Sequence, residues 1–439
     1  MTTTYDPADR TYLDEGDFRH ELDRVFDLCH GCRLCFNLCP SFPTLFDFID
    51  QHDGKASALS AAEADQVVDE CYQCKLCYLK CPYVPPHEWA LDFPRLMMRA
   101  HAVRHARGEG LKARLTDQFL GRTDLIGTVS TAMAPLVNAV TGTPGSLARR
   151  LMEKTVGLAA ERLLPPYARQ RFTTWFSRRA PRRAPVDTEV SVFPTCFVEY
   201  MEPEIGKDIV RVFEHNGIGC TVPDGTRCCG APWLHNGDIA AFTRAAERNV
   251  AALASEVQAG RDVIVAQPTC AYVIRQDYPR ILSHSALAAD AALVAEHTAD
   301  PAEYLMAGHR DGSRPLVSEF PGRDRGAVPD QVTYHVPCHL QAQQIGLKSR
   351  DVLKVAGVKA TLVQRCSGID GTWGYRAENY DLARKVAKPL ARDIEAAGND
   401  VVCGDCHLAN GAIEQETGLR PLHPMQVLAR AYGLDDGGR

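Results

Sequence analysis

Two copies of one cysteine spacing, C-x2-C-x2-C-x3-C-P, occur near the N-terminus of this 439-residue chain. Three thiolates of such a run bind one iron-sulfur cubane, and the fourth cysteine, turned away by its proline, reaches a second cubane. The spacing therefore predicts two 4Fe-4S clusters with crossed ligands. The first cluster would take Cys29, Cys32, Cys35 and Cys81, and the second would take Cys71, Cys74, Cys77 and Cys39.

Zinc sites and disulfide bonds also produce dense cysteines, but both fit this pattern poorly. A structural zinc site needs two pairs of Cys or His rather than a tight run of four cysteines. Disulfide bonds need an oxidising compartment, and residues 1–10 show neither the basic region nor the apolar region of a secretion signal. We therefore expect a cytoplasmic protein whose cysteines bind metal.

Composition and charge narrow the classes of function. The formal net charge of −6 gives the chain no electrostatic footprint for nucleic acid. The most apolar window, residues 125–140, is interrupted by polar residues and is too short for a bilayer span. We expect a chain of about three domains that does not cross a membrane.

A basic helical connector is predicted at residues 91–186, after a helical two-cluster ferredoxin domain at residues 1–90. From residue 95 to residue 186 it has 17 basic and 5 acidic residues. In residues 169–183 the basic residues alternate with Phe172, Trp175 and Phe176, a pattern that suits peripheral contact with an anionic membrane surface. Alternatively, these aromatic side chains pack on the protein itself, and the composition leaves both interpretations open.

The C-terminal half contains an internal repeat, residues 187–325 and 326–439. In each copy an apolar strand leads to a cysteine, and helical and strand patterns then alternate. Such alternation predicts two α/β modules with short parallel sheets, whose chemistry lies at the carboxyl ends of the strands. Four candidate metal ligands belong to each copy: Cys196, Cys228, Cys229 and Cys270 in the first, and Cys338, Cys366, Cys403 and Cys406 in the second.

The remaining features have modest interpretations. The pattern of residues 284–330 predicts a helix followed by a linker or surface hairpin. Cys220 lies at the start of a predicted short strand and is expected to be a buried, inert thiol. His339 and His407 each follow a candidate ligand, where a histidine either tunes a cluster through hydrogen bonds or packs at the end of a strand. Both roles stay open.

The order Cys196, Cys228-Cys229-Gly230, Cys270 resembles the cysteine-rich CCG module. Such modules occur in the B subunit of heterodisulfide reductase and in the iron-sulfur subunits of anaerobic glycerol-3-phosphate dehydrogenase, glycolate oxidase and lactate oxidation complexes. The sequences FPTC at residues 193–196, PCHL at 337–340 and LHP at 422–424 are similar to those of the C subunit of anaerobic glycerol-3-phosphate dehydrogenase. Two ferredoxin motifs followed by two CCG modules is the arrangement of that family.

The complete CCG pattern has five cysteines, C…CCG…CxxC, and each copy departs from it. Gln267 stands at the first position of the first copy's CxxC, and Ser367 replaces the second cysteine of the second copy's CCG. The four remaining thiols suit an ordinary cubane better than the five-thiolate clusters of heterodisulfide reductase. We expect a further iron-sulfur cluster in the second module and either a cluster or a zinc ion in the first.

The resemblance implies an electron-transfer component of an oxidoreductase complex. Iron-sulfur clusters pass single electrons, and the chain has no G-x-G-x-x-G motif between a strand and a helix and no G-x-x-x-x-G-K-[ST]. The implied partner is a flavoprotein dehydrogenase for glycerol 3-phosphate or a 2-hydroxy acid, and the implied acceptor is quinone at the cytoplasmic face of the inner membrane. Two alternatives remain, a soluble electron donor to a rubrerythrin-like peroxidase and thiol or disulfide chemistry at the CCG modules.

Overall fold

Five helices form the N-terminal part of the chain. A computed structural model describes residues 5–108, 111–179 and 188–434. Asp14 caps the first helix by accepting a hydrogen bond from the Asp17 N–H, and Ser60 and Glu63 form a capping box at the third. The helices are α1 (Glu15–Cys32), α2 (Ser41–Gln51), α3 (Ala61–Asp69), α4 (Leu76–Lys80) and α5 (Phe93–Arg107).

The apolar faces of these helices meet in one core. Val25 of α1, Leu45 of α2, Val67 of α3 and Leu96 of α5 are fully buried there. The sequence pattern placed α5 in the connector, but its apolar side chains lie in the core of the cysteine-bearing helices. This helix therefore closes the N-terminal domain.

Five further helices form the connector. Tyr200 of the following module donates a hydrogen bond to Asp124 (3.3 Å), and Arg376 of the last module donates to Asp117. No helix within the described ranges has both the length and the apolar character needed to cross a bilayer. The connector helices are α6 (Leu111–Gly121), α7 (Thr123–Ala132), α8 (Ala134–Thr141), α9 (Leu147–Val156) and α10 (Phe172–Arg178).

The aromatic residues of segment 169–183 face the protein interior. Phe172 is fully buried, and Trp175 and Phe176 pack against the same apolar core. Arg179 donates a hydrogen bond to Glu214 (2.6 Å), and residues 180–183 lie outside the described residues. The interpretation of this segment as a lipid contact is therefore wrong for its aromatic side chains, because they complete the core.

The first α/β module contains a four-stranded parallel sheet in the order β2-β1-β3-β4. Its strands are β1 (Thr188–Val192), β2 (Ile218–Thr221), β3 (Asp262–Ile264) and β4 (Thr298–Ala299). Its helices are α11 (Cys196–Tyr200), α12 (Pro203–His215), α13 (Ala231–His235), α14 (Ile239–Gln258), α15 (Pro268–Tyr272), α16 (Tyr278–Ile281), α17 (Ala288–Glu296), α18 (Pro301–Asp311) and α19 (Pro321–Asp324).

The second module contains a three-stranded parallel sheet in the order β6-β5-β7. Its strands are β5 (Gln331–His335), β6 (Lys359–Val363) and β7 (Val402–Gly404), and its helices are α20 (Cys338–Ala342), α21 (Lys348–Val355), α22 (Tyr380–Ala397), α23 (His407–Thr417) and α24 (Pro424–Tyr432). The predicted fold class, a helical N-terminal part followed by two α/β modules with short parallel sheets, is confirmed.

Side chains alternate between the two faces of each sheet, and one face of each sheet packs into a single apolar core that the two sheets share. Ile264 of β3 and Tyr334 of β5 both enter this shared core, which α12 and α24 cover. The neighbouring Val263 enters a separate core beneath α14, and Val402 enters a small core beneath α22. The modules therefore pack as one body, with their strands' carboxyl ends close together.

Residues 284–330 are part of the fold rather than a linker with a hairpin. They supply α17, the edge strand β4 and α18, and Tyr304 and Leu305 of α18 enter the shared core. The prediction of a linker or hairpin is wrong because the segment's apolar residues complete the first sheet and its packing. His284 is exposed, whereas the His309 ring accepts a hydrogen bond from the Leu316 N–H (3.1 Å).

Glycine closes the CCG turn in each module. Gly230 and Gly368 have φ angles of 86° and 66°, in the left-handed region. A Cβ at Gly230 would lie 2.9 Å from the Phe242 ring of α14, and one at Gly368 would lie 2.2 Å from the Ala383 carbonyl oxygen of α22. Each turn therefore rests on a long helix at a distance that only glycine allows.

We expect Gly368→Ala to lower the thermal unfolding midpoint of the cluster-loaded protein. A left-handed alanine costs about 1–2 kcal/mol, and the contact with α22 adds about 1–3 kcal/mol. Gly398→Ala is the matched control, because Gly398 has a φ of 67° and nothing within 4 Å of the added Cβ. Anaerobic calorimetry of both variants measures the difference, and equal losses would contradict a tight turn at Gly368.

Candidate functional site

The first cysteine cavity lies at the C-terminal end of α1. Cys29, Cys32 and Cys35 of the first run line it together with Cys81, the last cysteine of the second run. The helix ends at Cys32 because Arg33 adopts a left-handed conformation (φ 51°) and its N–H bonds to the Cys29 carbonyl. Cys32 is exposed, and the other three thiols are half-buried.

The second cavity is more deeply buried, and Cys39, the last cysteine of the first run, lines it. Gln73 and Lys75, with φ angles of 54° and 64°, turn the backbone around it. Burial raises the pKa of each thiol that lines this cavity. These thiols are Cys39, Cys71, Cys74 and Cys77.

Both cavities have the crossed membership that the spacing predicts, with the fourth cysteine of each run beside the other run's first three. Four thiols around one cavity suit the four irons of a cubane. Metal coordination deprotonates a thiol outright and so compensates the cost of burying its charge. The donor sets therefore fit iron-sulfur clusters.

The four cysteines of the first module lie next to one another in a series. Hydrogen bonds join Cys228 to Cys196 and to Cys229, and Cys229 to Cys270. These bonds lower the pKa of Cys228 and raise the pKa of Cys196 and Cys229. The Asp124 carboxylate of α7 accepts a hydrogen bond from the Cys228 N–H (3.0 Å). The structure thus brings this predicted set together directly beneath the connector.

The second module contains a cavity of about 350 Å³. Cys338, Cys366 and Cys406 line it, and so do the buried side chains of His339 and Asp370. Asp370 pairs with the His235 ring (2.8 Å), and burial lowers the pKa of His339 to about 3. The cavity is therefore lined by three thiols, a neutral histidine and a paired carboxylate.

Cys403 is not brought to that cavity. It lies opposite Tyr334 in β7 and is fully buried in the shared core. Side chains alternate along β7, so Val402 faces the small core beneath α22 and Cys403 faces the shared core. Neither side chain points into the cavity at the end of the strand. The structure thus departs from the four-thiol set predicted for this module.

The structure also changes which positions of the two repeats correspond. Gln267 is the N-cap residue of α15, and Cys406 is the N-cap residue of α23. Cys270 is then the third residue of α15, and its counterpart in α23 is Ala409. Gln267 follows Cys229 by 38 positions and Cys406 follows Ser367 by 39. The second copy's closing motif is therefore residues 406–409, with alanine at its last position.

Gln267 connects the two modules. Its side-chain amide donates to Cys406 Sγ (3.3 Å), and its oxygen accepts from the His407 backbone N–H (3.1 Å) and lies 2.5 Å from His407 Nδ1. Burial lowers the pKa of His407 to about 3, so the neutral ring donates through Nδ1. The residue that replaces a cysteine in the first module thus contacts a thiol of the second.

A tyrosine connects the ferredoxin-type domain to the second module. Tyr72 is buried beside the second cavity, and its ring lies 5.2 Å from that of Trp373. Its hydroxyl donates a hydrogen bond to the Leu38 carbonyl oxygen (3.3 Å) and lies close enough to Cys366 to influence the pKa of that thiol. Burial and then the neighbouring Cys366 raise the pKa of Cys74. Sequence patterns missed Tyr72, Asp124 and Asp370, because the contacts that define them come from distant segments.

Comparisons with known proteins agree with this architecture. Residues 190–275 and 332–409 match the cysteine-rich domain family CCG, and residues 22–107 match the citrate utilization protein B Fer4-like domain. The C subunit of anaerobic glycerol-3-phosphate dehydrogenase from Escherichia coli (strain K12) is 32% identical over 74% of this chain and 79% of its own length. The chain belongs to the family of that C subunit. The predicted resemblance is confirmed.

Two more distant relatives match shorter parts of the chain. The B subunit of fumarate reductase (CoM/CoB) from Methanothermobacter marburgensis is 27% identical over 56% of the chain and 47% of its own length. Lactate utilization protein A of Bacillus pumilus is 23% identical over 50% of the chain and 87% of its own length. These relatives and the matched domains support iron-sulfur clusters as the cofactors.

We expect Cys270→Ser to remove about four irons per chain if the first module holds a cubane. Cys220→Ser is the matched control, because Cys220 is buried in β2 of the same module and enters the shared core instead. Anaerobic iron, sulfide and zinc quantitation compares the two variants with the parent. Loss of zinc rather than iron in Cys270→Ser would contradict the cluster.

Proposed function

We propose that this protein carries electrons from a flavoprotein dehydrogenase through iron-sulfur clusters to a quinone at a membrane surface. One observation carries the proposal: the four cysteine sites form an unbroken series from an exposed cysteine at one end to an exposed apolar surface at the other. The chain's lack of a nucleotide-binding motif requires that a partner perform the hydride chemistry.

Electrons would arrive at the first cavity. Cys32 is its exposed thiol, and the apolar side chains of Leu34 and Phe36 are exposed beside it, 56% and 46% respectively. Aromatic and aliphatic side chains around a redox centre are typical of a protein docking site. We assign this surface to the flavoprotein, whose substrate would be glycerol 3-phosphate or a 2-hydroxy acid, as the relatives' names suggest.

Within the protein, each site adjoins the next. Cys35 of the first cavity is close enough to contribute to the raised pKa of Cys77 in the second. Tyr72 and Cys74 then meet Cys366 of the second module. With cubanes held by Cys29, Cys32, Cys35 and Cys81 and by Cys71, Cys74, Cys77 and Cys39, these contacts would give electrons a short path from the surface to the second module.

The last step crosses from the second module to the first. Gln267 bonds to Cys406 from the first module's side, and the Phe197 ring of α11 stacks on His407 with centroids 5.3 Å apart. Because α11 begins at Cys196, the two cysteine sets lie on either side of this contact. The first module would therefore hold the terminal cluster.

The connector contacts that module and carries many exposed apolar side chains. Asp124, near the start of α7, bonds to Cys228. Seven large apolar side chains of α7, α8, α9 and the α7–α8 junction are between 44% and 85% exposed, namely Leu125, Val129, Met133, Leu136, Val140, Leu147 and Leu151. Such a surface lets a lipid-soluble quinone approach the terminal cluster.

Charge favours a lipid bilayer as the occupant of this surface. Residues 125–148 include no Asp, Glu, Lys or Arg. Exposed basic side chains, Arg122 before this stretch and Arg150 and Lys154 after it, flank the apolar face. An apolar face bordered by basic residues is the pattern of an interfacial segment that binds anionic lipid.

We expect the double variant Leu125→Asp, Leu136→Asp to lose liposome binding. Removing two leucines from the interface costs at least about 3 kcal/mol, or about 100-fold in affinity. The control is Leu13→Asp, since Leu13 is 49% exposed but belongs to the N-terminal domain. Sedimentation with vesicles containing anionic lipid measures the effect. Unchanged binding by the double variant would refute the assignment of this surface.

We expect Tyr72→Phe to lower the reduction potential of one cluster by up to about 40 mV, the equivalent of one hydrogen bond of ~1 kcal/mol. The hydroxyl donates to the Leu38 carbonyl oxygen and would turn to the neighbouring Cys366 sulfur once that thiolate binds iron. A hydrogen bond to cluster sulfur stabilises the reduced form, so its loss lowers the potential. Tyr83→Phe is the matched variant, because Tyr83 hydrogen-bonds to Cys32 of the first cavity. EPR-monitored redox titration should show each variant shifting a different cluster, and a shift of the same signal in both would contradict the series.

A further inference from the structure

The second module offers fewer thiols than a closed cluster site requires. Cys338, Cys366 and Cys406 line its cavity, and Cys403 lies in the shared core. Ala409 lines the cavity at the position where the first module has Cys270. A cubane has four irons, so three thiolates leave one iron without a cysteine ligand.

Other polar groups in the cavity are arranged for a ligand rather than for packing alone. His339 is 3% exposed, and its Nε2 has no hydrogen-bond partner among the described residues. Its other ring nitrogen lies 3.4 Å from Thr269 Oγ1 and 3.7 Å from Cys338 Sγ. An unpaired buried polar atom costs about 1–3 kcal/mol, which a ligand bound in the cavity would offset.

The cavity is also accessible to small anions. Lys80 of α4 and Arg365, two residues after β6, line it, and both residues are exposed. Arg365 also pairs with Asp393 (2.8 Å), so Lys80 is the basic side chain available to an anion. A volume of about 350 Å³ exceeds what a single water or metal ion occupies. A small carboxylate fits this combination, because it offers oxygen to iron and accepts hydrogen bonds from basic side chains.

We propose that the second module binds its cluster through only Cys338, Cys366 and Cys406, and that the fourth iron, on the side of Ala409, is open to a small carboxylate anion. This inference rests on the cluster in this module that the proposed function requires. It goes further, since it makes the site a place of ligand binding as well as electron transfer. Asp370 is held by His235 and so positions the wall of the cavity.

Mild oxidation provides the first test. An iron that lacks a cysteine ligand leaves readily: the cluster [4Fe-4S]2+ gives one electron to ferricyanide, releases Fe2+ and becomes [3Fe-4S]1+. We expect about one Fe2+ released per chain and the sharp EPR signal of a three-iron cluster. Addition of 13C-carboxyl acetate to the reduced holoprotein should give a 13C coupling in ENDOR spectra. Absence of either signal would overturn the corresponding part of the inference.

Two variants locate the open iron. Ala409→Cys supplies the missing thiol, so it should retain all its iron under oxidation and show no 13C coupling; Ser367→Cys is a second such variant if the first fails to fold. Cys403→Ala should behave as the parent does. If instead Cys403→Ala loses a cluster, Cys403 is a ligand and the inference is wrong. If Cys338→Ser removes no iron at all, the second module holds no cluster, and the proposed function is wrong as well as the inference.

Discussion

Buried thiolates need positive charge within bonding distance, and this constraint governs the arrangement of the whole chain. Burial raises the pKa of Cys39, Cys77 and Cys338 well above the ordinary value for cysteine, so these side chains are neutral thiols unless a metal binds. Iron would replace their protons and hold together segments that are distant in sequence. Metal binding and folding are therefore coupled here.

The parallel topology of the two sheets determines where the cysteine thiols of the modules lie. Each module's first strand leads into a short helix that begins at Cys196 or Cys338, and each module's third strand leads into α15 or α23. The sheets share one core, so these four helix starts face one another. The Tyr272 ring lies at an angle of 66° to that of His339, with centroids 5.4 Å apart, in the place where Phe197 stacks on His407 in the other half. This approximate two-fold arrangement puts two cysteine sites within one contact of each other.

Sequence spacing predicted the crossed cysteine sets and the two α/β modules, because those patterns depend on local geometry. It misplaced Cys403, because the C-x2-C spacing of Cys403 and Cys406 matches the motif. Side-chain alternation along β7 turns Cys403 into the shared core, and this can be seen only once the bounds of β7 are known. It left open whether the aromatic residues near Phe172 contact lipid or pack on the protein, because their burial depends on the distant α12. The uncharged stretch at residues 125–148 was visible in the sequence, but its exposure depends on how the connector packs.

The two modules are copies that have diverged toward different tasks. The first keeps four neighbouring thiols and lies beneath α7, so its site is closed and suited to passing electrons onward. The second has three thiols around an accessible cavity and receives Gln267 in place of a thiolate from its neighbour. The Gln267 amide donates a hydrogen bond to Cys406 Sγ, which would stabilise the reduced state of a cluster in the second module. It adds no thiolate ligand to the first module, to which Gln267 belongs. Loss of one cysteine from the first copy and of two from the second, at Ser367 and Ala409, therefore separates a relay site from a ligand-accessible one within a single repeated fold.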